Sequence, residues 1–147
     1  MKIFPQSKLR KTLFVTLPAL IIIISAFSCA SKEAFLTSQT VPAARGSVSV
    51  NTDRNNNYVI KIHIKNLAEP ERLQNAGNNY IVWLMSEDNI TRNIGQIKSS
   101  TSFLSRKLDA TFETVSSVKP SKIFITAEEE PEIQYPTSQV VISTGVF

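Results

Sequence analysis

The chain has 147 residues, with 16 Lys and Arg against 12 Asp and Glu, one His, one Cys and 42% apolar residues. That size suits one hydrophobic core, and the apolar share is that of a globular chain rather than a disordered one. A single cysteine excludes an intrachain disulfide, and a single histidine leaves a metal site short of ligands.

Lys2, Lys8, Arg10 and Lys11 come first and without acids; the apolar run Leu13–Phe27 follows, and Ala26 and Ser28 stand just before Cys29. Basic, apolar, small-residue is the order of an export signal. The run has 15 residues and contains Pro18, against about 20 for a membrane span. Residues 1–28 are therefore expected to be a signal-peptide helix. Cys29 resembles the lipid-attachment cysteine of bacterial lipoproteins, with Ser28 fitting that pattern and Ala26 and Phe27 departing from it. The resemblance implies lipidation of Cys29, palmitate among the acyl chains, and attachment to a membrane. Ordinary secretion after Ser28 or Ala30 and an uncleaved anchor are the alternatives.

Removing residues 1–28 leaves 119 residues with 12 basic and 12 acidic side chains, so the pI of 9.3 belongs largely to the signal. Without a basic excess, no nucleic-acid partner is expected. Ser31-Lys32-Glu33 resembles the short polar signal that directs some Bacteroidetes-type lipoproteins to the cell surface. The expected location is the cell envelope, on the outer membrane or the cell surface. Residues 29–44 lack sustained periodicity and are expected to form a flexible tether, with one domain over 45–147.

From Arg45 onward the period is two. Arg45–Asn51 and Tyr58–Asn66 alternate, with Tyr58, Ile60, Ile62 and Ile64 opposite Val59, Lys61, His63 and Lys65. His63 is thereby expected in water. A short helix is expected near Glu69–Asn75. Tyr80–Met85 is apolar on both faces, as in a covered central strand. In Thr91–Ser99 the spacing of Ile94 and Ile97 around Gly95 points to a bulge or a crowded contact. Further strands are expected over 103–112, Ile123–Ala127 and Gln139–Thr144. Seven strands with turn-type breaks and no βαβ alternation predict an all-β chain, an antiparallel immunoglobulin-like β-sandwich, with a small open barrel as the alternative.

Catalytic signatures are sparse. No G-x-S-x-G turn and no glycine-rich phosphate loop occur. Glu128-Glu129-Glu130-Pro131-Glu132 is expected as a solvated loop, because consecutive residues leaving a strand point in alternate directions. Asp53, Glu87, Asp88 and Glu128 are the acids an enzyme reading would have to bring into one pocket. No enzyme activity, cofactor or metal is expected. Trp83 is expected in the core rather than as a ligand platform.

Tyr80-Ile81-Val82-Trp83-Leu84, Asn93-Ile94-Gly95-Gln96-Ile97, Ile123-Phe124-Ile125-Thr126-Ala127-Glu128 and Tyr135-Pro136-Thr137-Ser138-Gln139-Val140-Val141-Ile142 form an ordered series. It resembles the C-terminal extracytoplasmic domain of anti-sigma-K factors over about residues 45–144. Tyr80, Trp83, Gly95, Thr126, Glu128 and Pro136 match its motif positions, while Gln139 stands where that family has glycine. The resemblance implies a β-sandwich in the envelope without catalytic residues. Only twelve residues precede the apolar run, so the sensory half alone is expected, with no direct sigma-factor binding. The expected function is a non-enzymatic, lipid-anchored envelope module that binds a partner protein or reports envelope state. A surface carbohydrate-binding or adhesion lipoprotein is the alternative.

Overall fold

The computed structural model describes residues 31–73, 77–97 and 109–147. The signal segment, Cys29, and the expected strand residues 98–99 and 103–108 lie outside the described residues.

Among the described residues, eight strands form two antiparallel sheets: β1 (Ser31–Ala34), β2 (Arg45–Thr52), β3 (Tyr58–Lys65), β4 (Asn79–Ser86), β5 (Thr91–Ile97), β6 (Ala110–Ser116), β7 (Pro120–Glu128) and β8 (Val140–Ser143). The first sheet has the order β1-β2-β3-β6 and the second β5-β4-β7-β8. The chain is thus all-β and a sandwich, as the period-two pattern predicts.

The core between the sheets is built from one face of each alternating strand. Val48, Ile60, Ile62 and Ile64 from the first sheet meet Tyr80, Val82, Leu84, Ile123, Ile125 and Ile142 from the second. Full burial of each such aliphatic side chain is worth about 1.5–3 kcal/mol. The opposite face of β3 carries Lys61, His63 and Lys65 into water. Pro120 opens β7, where a missing N–H does no harm to the ladder.

The pairing of β4 with β5 slips between Val82 and Trp83, so that Val82 faces Gly95 and Trp83 faces Asn93. Ile94 is the extra residue. The bulge lets both Ile94 and Ile97 pack on the core, which strict alternation would forbid. Gly95 adopts φ +135°, and a Cβ there would lie 2.9 Å from the Phe112 ring, which crosses over from the first sheet.

Three expectations are corrected. Residues 31–44 are not a free tether. Ser31–Ala34 pairs with Val50–Ser47 of β2, Phe35 bridges to Thr144, and Ser38, Val41 and Ala44 are buried. The segment crosses from the edge of one sheet to the edge of the other. Its buried side chains, Phe35, Ser38, Val41 and Ala44, recur every third residue, which is neither the period of a strand nor that of an α-helix. The strand expected to end at Phe112 continues to Ser116 in β6, because alternation runs on past Phe112 through the small polar residues Thr114 and Ser116. The expected helix near Glu69–Asn75 is a single 3-10 turn, Pro70–Arg72, among the described residues.

Candidate functional site

The most elaborate polar arrangement lies on the outer face of the second sheet. β4 and β7 present Ile81, Trp83 and Phe124 there, away from the main core, yet all three are buried and Trp83 is 0% exposed. Their cover is the β7–β8 connection, residues 129–139, which folds back over the sheet as a strap and packs Ile133 against them. The Trp83 and Phe124 rings stack with centroids 6.2 Å apart.

Glu128, the last residue of β7, pins this strap. It is 1% exposed. Its Oε1 accepts hydrogen bonds from Thr126 Oγ1 (2.6 Å), Thr137 N (3.1 Å) and Ser138 N (3.2 Å), and its Oε2 from Thr137 Oγ1 (2.6 Å) and Ser138 Oγ (2.9 Å). An ionised carboxylate only accepts, and here its acceptor sites meet five donors. The successive N–H groups of Thr137 and Ser138 form a small concave anion seat. Burial pushes the Glu128 carboxyl up, but the donors from Thr126, Thr137 and Ser138 outweigh it and hold the group below the ordinary range.

The network reaches the buried indole. Trp83 Nε1 donates to Thr126 Oγ1 at 2.8 Å, and that hydroxyl spends its own proton on Glu128. Period two explains the alignment: Phe124, Thr126 and Glu128 share the outer face of β7, while Ile123, Ile125 and Ala127 share the inner one.

Side-chain amides secure the rest of the strap. Asn93 Nδ2 donates to the Pro131 and Ile133 carbonyls, each at 3.0 Å, and Asn79 Nδ2 to Glu129 O at 2.7 Å. Gln96 Nε2 in turn donates to Asn79 Oδ1 at 2.7 Å. Gly77 approaches the start of the strap so closely that a Cβ would sit 1.9 Å from the Glu128 carbonyl carbon, a separation no side-chain-bearing residue could hold.

Beside Glu128 is an open depression of about 520 Å³, lined by Gly77, Glu129, Glu130, Ile133, Thr137 and Ser138. Glu129 and Glu130 are exposed there, whereas the Glu128 oxygens are already taken up by their donors. The expectation of a solvated acidic loop is therefore corrected at its first member. Glu128 still belongs to the strand, on its covered face, and only the following acids are solvated.

The other acids are dispersed. Asp88 lies in the β4–β5 turn at the opposite end of the sandwich from Glu128, where the Ser86 hydroxyl donates to it and holds its pKa low. Glu87 pairs with Lys119 at 2.6 Å. Asp53 closes the β2–β3 turn on the backbone of Asn57 (2.9 Å) and Asn55 (2.7 Å), and the Asn57 bond is the main cause of its lowered pKa. Among the described residues no three His, Cys, Asp or Glu side chains come together as metal ligands.

The remaining motif residues have packing positions. Tyr80 lies in the main core with its hydroxyl donating to Ala68 O at 2.8 Å; burial, assisted by the Glu71 charge, pushes that hydroxyl up. Pro136 is exposed in the strap immediately before Thr137. The amides of Asn79, Asn93 and Gln96 were missed as strap-holding groups: in sequence they look like turn formers and strand-surface residues. No family model, no curated protein and no solved structure matches the chain.

Proposed function

We propose that the protein is a non-enzymatic module of the cell envelope, held to a membrane by lipid on Cys29, that binds a partner protein or reports envelope state. The observation that carries this reading is the saturated network of Trp83, Thr126, Glu128, Thr137 and Ser138. A carboxylate that receives five donors is spent on shape. Catalytic acids and bases instead need an unfilled position facing a substrate.

The resemblance to the extracytoplasmic sensory domain of anti-sigma-K factors fits this reading. Trp83 comes from one motif piece and Thr126 and Glu128 from another, and the three join in one hydrogen-bonded chain. An immunoglobulin-like connectivity is supported by the way β3 to β4, β5 to β6 and β6 to β7 pass between sheets. The carbohydrate-binding alternative calls for several exposed aromatic rings together. Trp83 is in the covered face, and Tyr135 is the one strongly exposed ring among the described residues.

Intact mass of the protein purified from native membranes, with Cys29→Ala as control, tests the anchor. The expected result is a chain beginning at Cys29 with acyl chains, absent in the variant. A soluble, unmodified product would overturn it.

A further inference from the structure

The order of residues 31–34 has a consequence for how an anchored domain would sit. Two Cα–Cα steps separate Cys29 from Ser31, so chain geometry keeps the two within about 7 Å. Ser31 is already hydrogen-bonded into the sheet opposite Val50, and Phe35 ties the end of β1 to the second sheet. Little slack is left for the domain to swing. We infer that the end of the sandwich marked by Ser31 rests against the lipid surface that holds Cys29, an inference that depends on the lipid anchor proposed above.

Strand direction identifies that end. β1 begins beside the end of β2, so the same end holds the β2–β3 turn (53–57), the β4–β5 turn (87–90), the β6–β7 turn (117–119) and residues 145–147, where Phe147 N donates to Ser121 O. Glu128, Gly77 and the loop after β3 lie at the other end.

The exposed apolar side chains are distributed unevenly between the two ends. Six large ones are exposed among the described residues. Ile90 (46%) and Val146 (76%) are at the Ser31 end. Val115 (57%) stands one residue from the end of β6. Tyr135 (72%), in the strap, shares a shallow cleft of about 460 Å³ with Ile90. Leu36 and Val140 are the two elsewhere. An exposed tyrosine suits a lipid headgroup layer, where its ring meets the apolar side and its hydroxyl stays wet. Charge at this end is balanced: Lys119 is paired with Glu87, Asp53 is bound within its own turn, and the exposed Arg54 and Asp88 are of opposite sign. The contact is therefore apolar and covalent rather than electrostatic, and the opposite end is turned outward, where a partner would approach.

The test uses the acylated full chain in phosphatidylcholine vesicles that carry a headgroup quencher. Asn55→Cys in the β2–β3 turn and Asn78→Cys at the opposite end are labelled separately with a fluorophore; the lipid blocks the Cys29 sulfur. At least threefold stronger quenching at position 55 than at 78 is expected. Tyr135→Ser combined with Val146→Ser should at least halve the quenching at 55 while the protein stays on the vesicles. Equal quenching at both positions in an acylated protein would overturn the inference alone. A stable dimer joined across the Ser31 end would also overturn it, by giving that face to a second copy. A chain without acyl groups would overturn the anchor and the inference together.

Discussion

The two sheets treat their outer faces in opposite ways. On the first sheet, Lys61, His63 and Lys65 alternate into water, and the face needs no cover. On the second, Ile81, Trp83 and Phe124 point outward at corresponding strand positions, and eleven mostly polar loop residues bury them. A third layer of regular structure is not required to cover an apolar sheet face. A strap suffices if its backbone is fixed at several points, here by one carboxylate and by the amides of Asn79 and Asn93. The difference predicts that the same substitution should have unequal effects on the two faces.

The largest effect is expected at Trp83. Trp83→Ala removes a fully buried ring and a hydrogen bond, and should cost about 3–5 kcal/mol of unfolding free energy. His63→Ala on the other sheet should stay within about 0.5 kcal/mol. Urea unfolding of both variants checks the contrast. Comparable losses at the two sites would mean that the strap does not seal the second face.

That contrast was partly legible in the chain. The all-apolar Tyr80–Met85 run signals a strand covered on both sides, and the alternation of Tyr58–Asn66 signals one wet face. What covers the second sheet was not legible, because Ile133 is the one apolar strap side chain packed on Trp83 and its neighbours. The fixing comes from hydroxyls and amides whose partners are distant in sequence: Asn93 and Ile133 are 40 residues apart. Residues 31–44 escaped for a related reason. Phe35, Ser38, Val41 and Ala44 are buried at every third residue by a crossing between sheets, a spacing that fits neither strand nor α-helix and includes a serine, so apolar periodicity does not mark it. Thr126 and Glu128 were named by resemblance, but their acceptor and donor roles depend on Thr137 and Ser138 lying nine and ten residues beyond Glu128.

Glu128 gives the next largest effect and tests the pinning directly. Glu128→Ala leaves the buried Thr126 hydroxyl and the part-buried Thr137 and Ser138 donors without an acceptor and should cost about 2–3 kcal/mol. Glu128→Gln should cost less, because the Thr137 and Ser138 hydroxyls can rotate to accept from the new amide. Both should red-shift Trp83 emission as the strap loosens. The carboxyl is held below its usual value of 4.5, so its contribution is fully present above the unfolded pKa and disappears as pH falls through the lower folded pKa. Wild-type stability should therefore decline more steeply below pH 4.5 than that of Glu128→Gln. Parallel declines would show that the carboxylate charge contributes nothing to the strap.

The smallest effect belongs to the open sheet, where Lys61 and Glu113 form an ion pair of 3.0 Å across β3 and β6. Both side chains are more than half exposed, so water and salt screen the attraction, and ordering two long side chains offsets part of it. A double-mutant cycle with Lys61→Ala and Glu113→Ala should give a coupling below about 1 kcal/mol that shrinks further in high salt. The Glu128 contribution should persist in the same salt, since its donors are neutral and the group is sealed from solvent. If both responded equally to salt, the carboxylate under the strap would be open to water, and the two outer faces would no longer differ in kind.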